Sequence, residues 1–338
     1  MFRRFTRLPW WAHLLIGAGL LALLNGIAIA VAAVLFVDYT RERGPLKSEI
    51  PEQTEIRGEE AAALASRFAP VLRYDSKELF VPIPRGEYVK RTQLKEQEGS
   101  FVRTLRRAVS EDNLPESLGA CLAGCLLFLD VRGVEPDPPK NSEGAYDTLE
   151  NALLRTGVRP RVYYHVSRYD DSGETAVQYW FFYFFNFRLN EHESDWEQVT
   201  VQLDEDKRPK GVFYSAHEGG HTEAWRQIRR RGVHPVVFPA RGSHANYFTP
   251  GRHRVAVGCR RVIGSIKRCL RGRKVLVDVA DGQGRTLDRR GYDLAELTGP
   301  LYAGSYGSGN YVVLTRRPDV LNDPRLRVAW KDPLRRLR

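Results

Sequence analysis

Residues 192–203 read His-Glu-Ser-Asp-Trp-Glu-Gln-Val-Thr-Val-Gln-Leu, and this stretch constrains the fold more than any other. Its second half alternates polar and apolar residues, which predicts a half-buried β-strand. Because side chains in a strand alternate between two faces, Asp195 and Glu197 share a face with Val199. Two carboxylates at the start of a buried strand face need a cation, a proton or strong hydrogen-bond donors to compensate them.

A metal site is one way to meet that need. His192 stands three residues before Asp195, in a polar turn. A His, an Asp and a Glu that converge on one point are compatible with a divalent-cation site, and an oxygen-rich site with one imidazole favours Mg²⁺, Mn²⁺ or Ca²⁺ over Zn²⁺. The structural alternative, which these three residues by themselves favour, is a strand entry whose carboxylates meet Arg side chains or backbone N–H groups.

Several other short segments have strand character. They are residues 161–168, 177–187, 211–216 and 233–238, and turn signals such as Asp-Asp-Ser-Gly separate them. Residues 179–185 are aromatic on both faces, which predicts a central strand. An amphipathic helix is expected before them, at residues 59–68. This pattern predicts a mainly β fold, an antiparallel β-sandwich with a few peripheral helices.

The N-terminal region predicts a membrane anchor. Residues 12–37 are uncharged and long enough to span a bilayer, and Arg3, Arg4 and Arg7 precede them. The positive-inside rule then places the N-terminus in the cytoplasm and the rest of the chain outside. The expected organisation is a cytoplasmic N-terminus (1–11), a transmembrane signal anchor in the lipid bilayer (12–37), a stalk (38–60) and an extracytoplasmic β-sandwich domain (61–338).

The four cysteines fit an oxidising location. The simplest of three connectivities pairs Cys121 with Cys125 and Cys259 with Cys269. A zinc site made of all four is disfavoured, because their spacings do not match a common finger.

Charge is unevenly distributed along a chain whose formal net charge is +11. Residues 252–290 hold 12 Lys and Arg against 3 Asp, a net charge of +9. This basic stretch predicts contact with an anionic lipid or an envelope polymer, or else a solvated face. Nucleic acid is not an expected partner, because the domain is placed outside the membrane and no aromatic-interleaved RNA motif is present.

Two polar loops at strand ends carry further candidate residues. Residues 217–221 read His-Glu-Gly-Gly-His, but a strand precedes them and two Gly lie within them, so a turn is favoured over a zinc-binding helix. Residues 240–246 form the second loop. The ligand-binding candidates are His217, Arg241, Ser243, His244 and Asn246. No nucleophile elbow, P-loop or dinucleotide fingerprint occurs.

Five motifs in order show a resemblance to known families. Residues 68–75, 183–186, 195–201, 214–217 and 240–246 resemble the vacuolar protein sorting-associated family numbered sixty-two, over about residues 61–335. Part of the chain also resembles the necrosis- and ethylene-inducing peptide-like cytolysins, whose heptapeptide Gly-His-x-His-Asp-Trp-Glu holds a divalent cation on a β-sandwich near a lipid-headgroup site.

The second resemblance implies metal ligation by His192, Asp195 and Glu197. Asn186 is the nearest candidate for the upstream Asp ligand of that family. Two positions depart from the heptapeptide, since Glu191 stands where that family has Gly and Ser194 where it has the second His.

These observations predict a membrane-anchored extracytoplasmic domain with a divalent-cation site that binds an anionic or sugar-bearing envelope or lipid ligand. The alternative is a metal-dependent hydrolase of phosphoester or glycan bonds, with His217 or His244 as general acid or base. A scaffold whose motif is purely structural is the third possibility.

Overall fold

The computed structural model describes residues 50–116, 125–135, 141–188, 191–217, 219–256, 260–263, 266–268, 275–308 and 322–338. The chain divides into two compact units. One comprises Met1–Glu49 and Ala256–Leu276, and the other comprises Ile50–Val255 and Val277–Arg338. Within the first unit, the described residues form a hairpin of two short strands.

The strands and helices alternate irregularly along the chain. In chain order the elements are β1 (Gln53–Ile56), α1 (Gly58–Arg67), β2 (Val71–Arg73), α2 (Arg85–Val89), β3 (Thr92–Glu98), β4 (Phe101–Arg106), β5 (Cys125–Val131), α3 (Glu143–Arg155), β6 (Arg161–Tyr169), β7 (Thr175–Asn186), β8 (His192–Leu203), β9 (Pro209–Ala216), β10 (Gly219–Ala224), β11 (Arg230–Arg231), β12 (His234–Pro239), β13 (Asn246–Tyr247), β14 (Gly251–Ala256), β15 (Arg260–Ile263), β16 (Ile266–Arg268), β17 (Val275–Ala280), β18 (Thr286–Leu287), β19 (Asp293–Glu296) and α4 (Val328–Lys331). Two short 3₁₀ helices span Glu111–Asn113 and Pro324–Leu326.

A seven-stranded sheet forms the centre of the larger unit. Its order is β1-β6-β7-β8-β9-β10, and β19 pairs with β6. Strands β7 and β8 have 12 residues each, and every one of those residues is buried. Aromatic and β-branched side chains suit a strand that is covered on both faces, so the aromatic run at 179–185 occupies the predicted central position.

Two smaller sheets accompany the central one. The first has five strands, in the order β11-β12-β2-β18 with β13 paired to β12, and the second has the order β4-β3-β5. Most pairs are antiparallel, and the exceptions are β2 with β12 and β6 with β19. The prediction of a mainly β fold with antiparallel sheets and few helices is confirmed.

One apolar core joins these layers. Leu64 of α1, Leu72 of β2, Leu129 of β5, Val177 of β7 and Val237 of β12 all belong to it. The core therefore holds helix α1 together with the seven-, five- and three-stranded sheets, because each of them buries an apolar face in it.

The predicted strand boundaries agree with the structure to within a few residues. The largest shift is at β8, which starts at His192, four residues before the alternating pattern begins at Trp196. The polar residues 192–195 are thus part of the sheet instead of a turn before it. Within the expected stalk, Gln53–Ile56 pair with Val166–Tyr169 as β1 of the central sheet.

The membrane assignment requires a correction. The predicted spanning segment, residues 12–37, lies outside the described residues, and no helix in the described part of the chain is long and apolar enough to cross a membrane. The described part of the chain is therefore mainly β, and it gives no support to the predicted transmembrane helix or to the single-pass localisation.

The disulfide prediction is also corrected. Cys121, Cys259 and Cys269 lie outside the described residues, so no complete disulfide is found in the described part of the chain. Cys125, at the start of β5, is the one described cysteine; it is not a free thiol, and its partner lies outside that part. Neither predicted pairing is carried forward.

Backbone hydrogen bonds from residues 305–308 connect the start of β8 to β5. Ser305 bonds to the backbone of Leu127 and Leu129, and the Glu193 N–H donates to the Ser308 carbonyl at 2.8 Å. A Cβ at Gly307 would collide with the Glu193 backbone oxygen. Only a residue without a side chain fits there.

Gly307→Ala should therefore lower the free energy of unfolding by about 1–3 kcal/mol, because it forces two packed backbones apart. The measurement is urea denaturation of the full chain followed by circular dichroism. The matched control is Gly144→Ala in α3, where a Cβ meets no atom within 4 Å. Equal stability of the two variants would contradict the close approach.

Candidate functional site

The polar start of β8 is held by the neighbouring strand β7. Asp195 lies opposite Tyr183 and Glu197 lies opposite Phe181. Both carboxylates are on the strand face of Val199, as predicted, and are almost completely buried. His192 is also buried, and its Nδ1 donates to the Ser194 carbonyl at 2.7 Å. Burial lowers the pKa of His192.

Asp195 is compensated by an internal cation. His244 donates from Nδ1 to Asp195 Oδ2 at 2.9 Å, and the Asn186 amide donates to the same oxygen at 3.0 Å. The His244 ring is fully buried and stacks on Tyr183, with centroids 3.8 Å apart. Its Nε2 lies 3.7 Å from Glu78 Oε1.

The pKa values of His244 and Asp195 depend on each other. Burial alone would lower the pKa of His244, but the contacts with Asp195 and Glu78 outweigh it and raise that pKa to about 10. Burial likewise would raise the pKa of Asp195, and the hydrogen bond from His244 lowers it below its ordinary value. His244 is therefore an imidazolium that bridges two carboxylates at neutral pH.

Glu197 has no such partner. The Ser215 hydroxyl donates to Glu197 Oε2, and Ser215 Oγ accepts the Gln198 N–H at 2.7 Å. Burial raises the pKa of Glu197 well above its ordinary value, and the nearby charge of Asp195 raises it further. The strand thus holds two unlike carboxyl groups side by side, one paired with a cation and one with a hydroxyl.

The loop at 240–246 supplies several of the predicted residues. Ser243 and Asn246 are buried, and Asn246 Nδ2 lies 3.4 Å from Ser215 Oγ and 3.5 Å from the Gln198 carbonyl. Arg241 is half-buried, and its backbone N–H donates to the Val279 carbonyl. The loop therefore brings His244 and Asn246 to β8 and keeps Ser243 inside.

His217 joins a separate pair of side chains. Its Nε2 donates to Asp278 Oδ2 at 2.6 Å, and the Tyr247 hydroxyl donates to the same oxygen at 2.8 Å. The His217 side chain is 29% exposed, whereas the Asp278 carboxylate is fully buried. Hydrogen bonds and the charge of His217 overcome burial and lower the pKa of Asp278.

The motif His-Glu-Gly-Gly-His lies at a hairpin, but the two Gly do not form its turn, because Gly219 and Gly220 begin the returning strand β10. His217 directly follows β9, and His221 pairs with Tyr214. A Cβ at Gly220 would collide with the Tyr214 carbonyl and the Phe213 ring. Because the two His are on a hairpin, they cannot share a helix face as a zinc protease requires.

Strained backbone is concentrated in this region. Among the described residues, five that are not Gly have φ in the left-handed region, and three of them are Ser194, His217 and His244. Such conformations cost about 1–3 kcal/mol each and cluster at functional sites. His217 directly follows β9, and His244 lies in the loop just before β13.

Two buried acids were not predicted from the sequence. Glu78 lies in the loop after β2 and accepts the Gly242 N–H at 2.6 Å. Glu150 of α3 accepts the Val81 N–H at 2.9 Å, and its other oxygen has no partner among the described residues. Neither stands near a motif, and Glu150 resembles any polar residue on an amphipathic helix.

The metal prediction requires a correction. Within the described residues, no group of three His, Cys, Asp or Glu side chains is placed to hold a metal ion. His192 bonds to its own turn, Asp195 to His244 and Glu197 to Ser215, so these side chains do not fit a metal centre as arranged. A role for a divalent cation stays a prediction.

Comparison with known proteins gives weak similarities. No family model matches the chain. A Saccharomyces cerevisiae protein provisionally named as vacuolar protein sorting-associated, TDA6, is 24% identical over 223 residues, which cover 54% of this chain and 46% of that protein. The chain thus spans less than half the length of this relative.

Solved structures of toxin-fold proteins are also similar. NLPPya in complex with mannosamine has a TM-score of 0.30 at 17% identity, covering 60% of this chain and 74% of that one. Necrosis and ethylene inducing protein 2, from the agent of witches' broom disease of cocoa, has a TM-score of 0.27 at 15% identity, covering 56% and 65%. Both predicted resemblances are confirmed, but similarity this low carries no argument for function.

The buried Glu150 predicts a pH dependence of stability. Burial raises its pKa from 4.5 to about 8. The folded state therefore keeps a proton that the unfolded state loses, and stability should fall as the pH rises from about 4.5 to about 8. Each unit of pKa difference corresponds to about 1.4 kcal/mol.

Glu150→Gln should remove this contribution, because a neutral amide replaces the titrating carboxyl group. Denaturation at both ends of that pH window should show a loss of stability with pH that is smaller in the variant by a few kcal/mol. Glu223→Gln, at an exposed position of β10, is the control and should keep the wild-type dependence. A Glu150→Gln profile parallel to the wild type would refute the assignment.

Proposed function

We propose that the protein binds a ligand at the open end of β8, and that this ligand is a polyhydroxylated molecule with a positive charge, such as an amino sugar. The surface concerned, here called the strand-end surface, consists of Asp195, Glu197, His217 and Tyr247. One observation carries the proposal. Asp195 and Glu197 lie on one face of β8 with only 5% and 6% of their area exposed. Of the two, only Asp195 is hydrogen-bonded to the His244 imidazolium.

Charge favours a cationic ligand. Glu78 and Asp195 share His244, whereas Glu197 meets only a hydroxyl group. Burial and Asp195 raise the pKa of Glu197, and an ammonium group that approaches its exposed edge would favour the ionised carboxylate and supply the donors that it lacks. Hydrogen bonds between charged partners are about twice as strong as neutral ones.

Unsatisfied polar atoms favour a ligand with hydroxyl groups. Asn246 Oδ1, Ser194 Oγ and Ser243 Oγ are buried and have no hydrogen-bond partner among the described residues. Most buried polar atoms are paired, so three unpaired atoms around one strand end are unusual. Hydroxyl groups both donate and accept, so a ligand at the exposed edges of Asp195 and Glu197 would extend this incomplete hydrogen-bond network.

Flat rings next to the carboxylates suit the C–H face of a sugar. Tyr247 stacks on His253 with centroids 3.7 Å apart, and the exposed His221 lies 5.7 Å from the Tyr247 ring. Tyr247 also contacts Asp278, which holds His217. Aromatic faces and hydrogen-bonding acids thus meet at the same end of the sheet.

Binding is better supported than hydrolysis. His244 is fully buried between Asp195 and Glu78, so its proton cannot reach a substrate without a rearrangement. His217 is accessible, but its partner is Asp278 and not the Asp195–Glu197 pair. A general acid or base must lie within hydrogen-bond reach of the reacting group, and the two His do not flank a shared position.

Titration calorimetry of the full chain with mannosamine tests the proposal, with mannose as the uncharged comparison. Mannosamine should bind more tightly than mannose. Glu197→Gln and Asp195→Asn should each weaken mannosamine binding about tenfold, the size expected for a charged hydrogen bond. Glu205→Gln, at the exposed turn after the other end of β8, should leave it unchanged.

The same titrations with a chelator, and with added Mg²⁺, Mn²⁺, Ca²⁺ or Zn²⁺, test the predicted cation. Binding that needs one of these ions would support a cation at this site, and binding unaffected by the chelator would refute that requirement. Absence of saturable mannosamine binding in every condition would refute the proposed function.

A further inference from the structure

A surface depression of about 670 Å³ lies beyond the C-terminal end of α3. Its wall comes from the end of α3, the turn into β6 and two loops near β18. The apolar residues that line it include Leu154, Val158 and Pro160, and the charged ones are Arg159, Arg285 and Arg290. None of these residues belongs to the strand-end surface.

The charge of the depression is entirely positive. Three Arg and no Asp or Glu line it. Arg285 and Arg290 are exposed, and within the described part of the chain their guanidinium groups have no hydrogen bond or ion pair. Both lie in the basic stretch 252–290. Two guanidinium groups are therefore left with all their donors available to an incoming anion.

Arg159 is positioned by its neighbours. Its guanidinium donates to the Arg290 carbonyl at 2.5 Å and lies 3.5 Å from Asp293 Oδ1. Asp293 also lies 3.7 Å from Arg161, so one carboxylate faces two guanidinium groups. Asp288 also lies beside the depression, where its Oδ1 accepts the Arg290 N–H at 3.0 Å and its Oδ2 lies 3.6 Å from Arg231. These two acids are outnumbered by the surrounding guanidinium groups, so the field inside the depression stays positive.

The floor of the depression is apolar and fixed. Leu154 and Val158 are partly buried against the main core. The volume is within the range of about 300–1,000 Å³ that small-molecule sites occupy, and such sites combine an apolar lining with a few polar groups that orient the ligand. The guanidinium groups around an apolar floor have this composition.

We infer that this depression binds a phosphate-bearing anion. Guanidinium groups form bidentate hydrogen bonds with phosphate oxygens, which makes Arg well suited to phosphate recognition. The ligand could be a free phosphate compound or the headgroup of an anionic phospholipid, and both present the same group. This site is independent of the proposed function, because its residues and its charge differ from those of the strand-end surface.

The test uses the full chain and two probes. Inorganic pyrophosphate, titrated by calorimetry, represents the free anion. Sedimentation with phosphatidic acid and phosphatidylcholine vesicles, against vesicles of phosphatidylcholine alone, represents the lipid. Arg285→Ala/Arg290→Ala is the test variant. Arg226→Ala/Arg229→Ala is the control, because it removes two exposed Arg from the segment between β10 and β11 and changes net charge equally.

The test variant should bind the preferred probe at least about fivefold more weakly than wild type, and the control should bind as wild type does. Binding should also weaken between low and physiological salt, since exposed charges are screened over about 8 Å. Preference for pyrophosphate identifies a free anion, and preference for phosphatidic acid vesicles identifies a headgroup. No binding of either probe, or equal losses in both variants, would overturn the inference.

Discussion

The site depends on one buried ion pair, in which His244 lies between Asp195 and Glu78. Without this imidazolium, the carboxyl groups of Asp195 and Glu78 would lose the positive charge that lies between them, and uncompensated buried charges are strongly destabilising. The pair also connects distant parts of the chain, because Glu78 follows β2, Asp195 is on β8 and His244 lies in the loop after β12. The contact that compensates the buried charges is thus also the contact that connects these distant segments.

The remaining polar residues are arranged around that pair. His244 takes up the charge of Asp195, and this leaves Glu197 with a hydroxyl partner and a small exposed edge. The strained backbone at Ser194 and His244 is sustained by the dense packing of β7 and β8, where every residue is buried. A rigid scaffold of this kind can hold unlike carboxyl groups side by side and present them to a ligand without moving.

The molecule combines two surfaces of opposite charge within one unit. The strand-end surface is acidic and bordered by rings, and the depression near α3 is lined by Arg. A ligand with a positive group and a ligand with a phosphate group would therefore be directed to different places. Exposed charges act over roughly one Debye length, so at physiological salt each surface would act mainly on ligands close to it.

The sequence by itself determined the strands and which residues share their faces. Period-two alternation is a local property, so residues 196–203 and the aromatic run at 179–185 predicted their strands, and the face shared by Asp195 and Glu197 followed from it. The tertiary structure alone decided the partners. Glu78 and Glu150 carry no local pattern, and His244 meets Asp195 across 49 residues of sequence. Because His244 is hydrogen-bonded to Asp195, the convergence of His192, Asp195 and Glu197 on a metal could not be judged from spacing. Spacing gives proximity along the chain, whereas charge compensation depends on which residues the fold brings into contact.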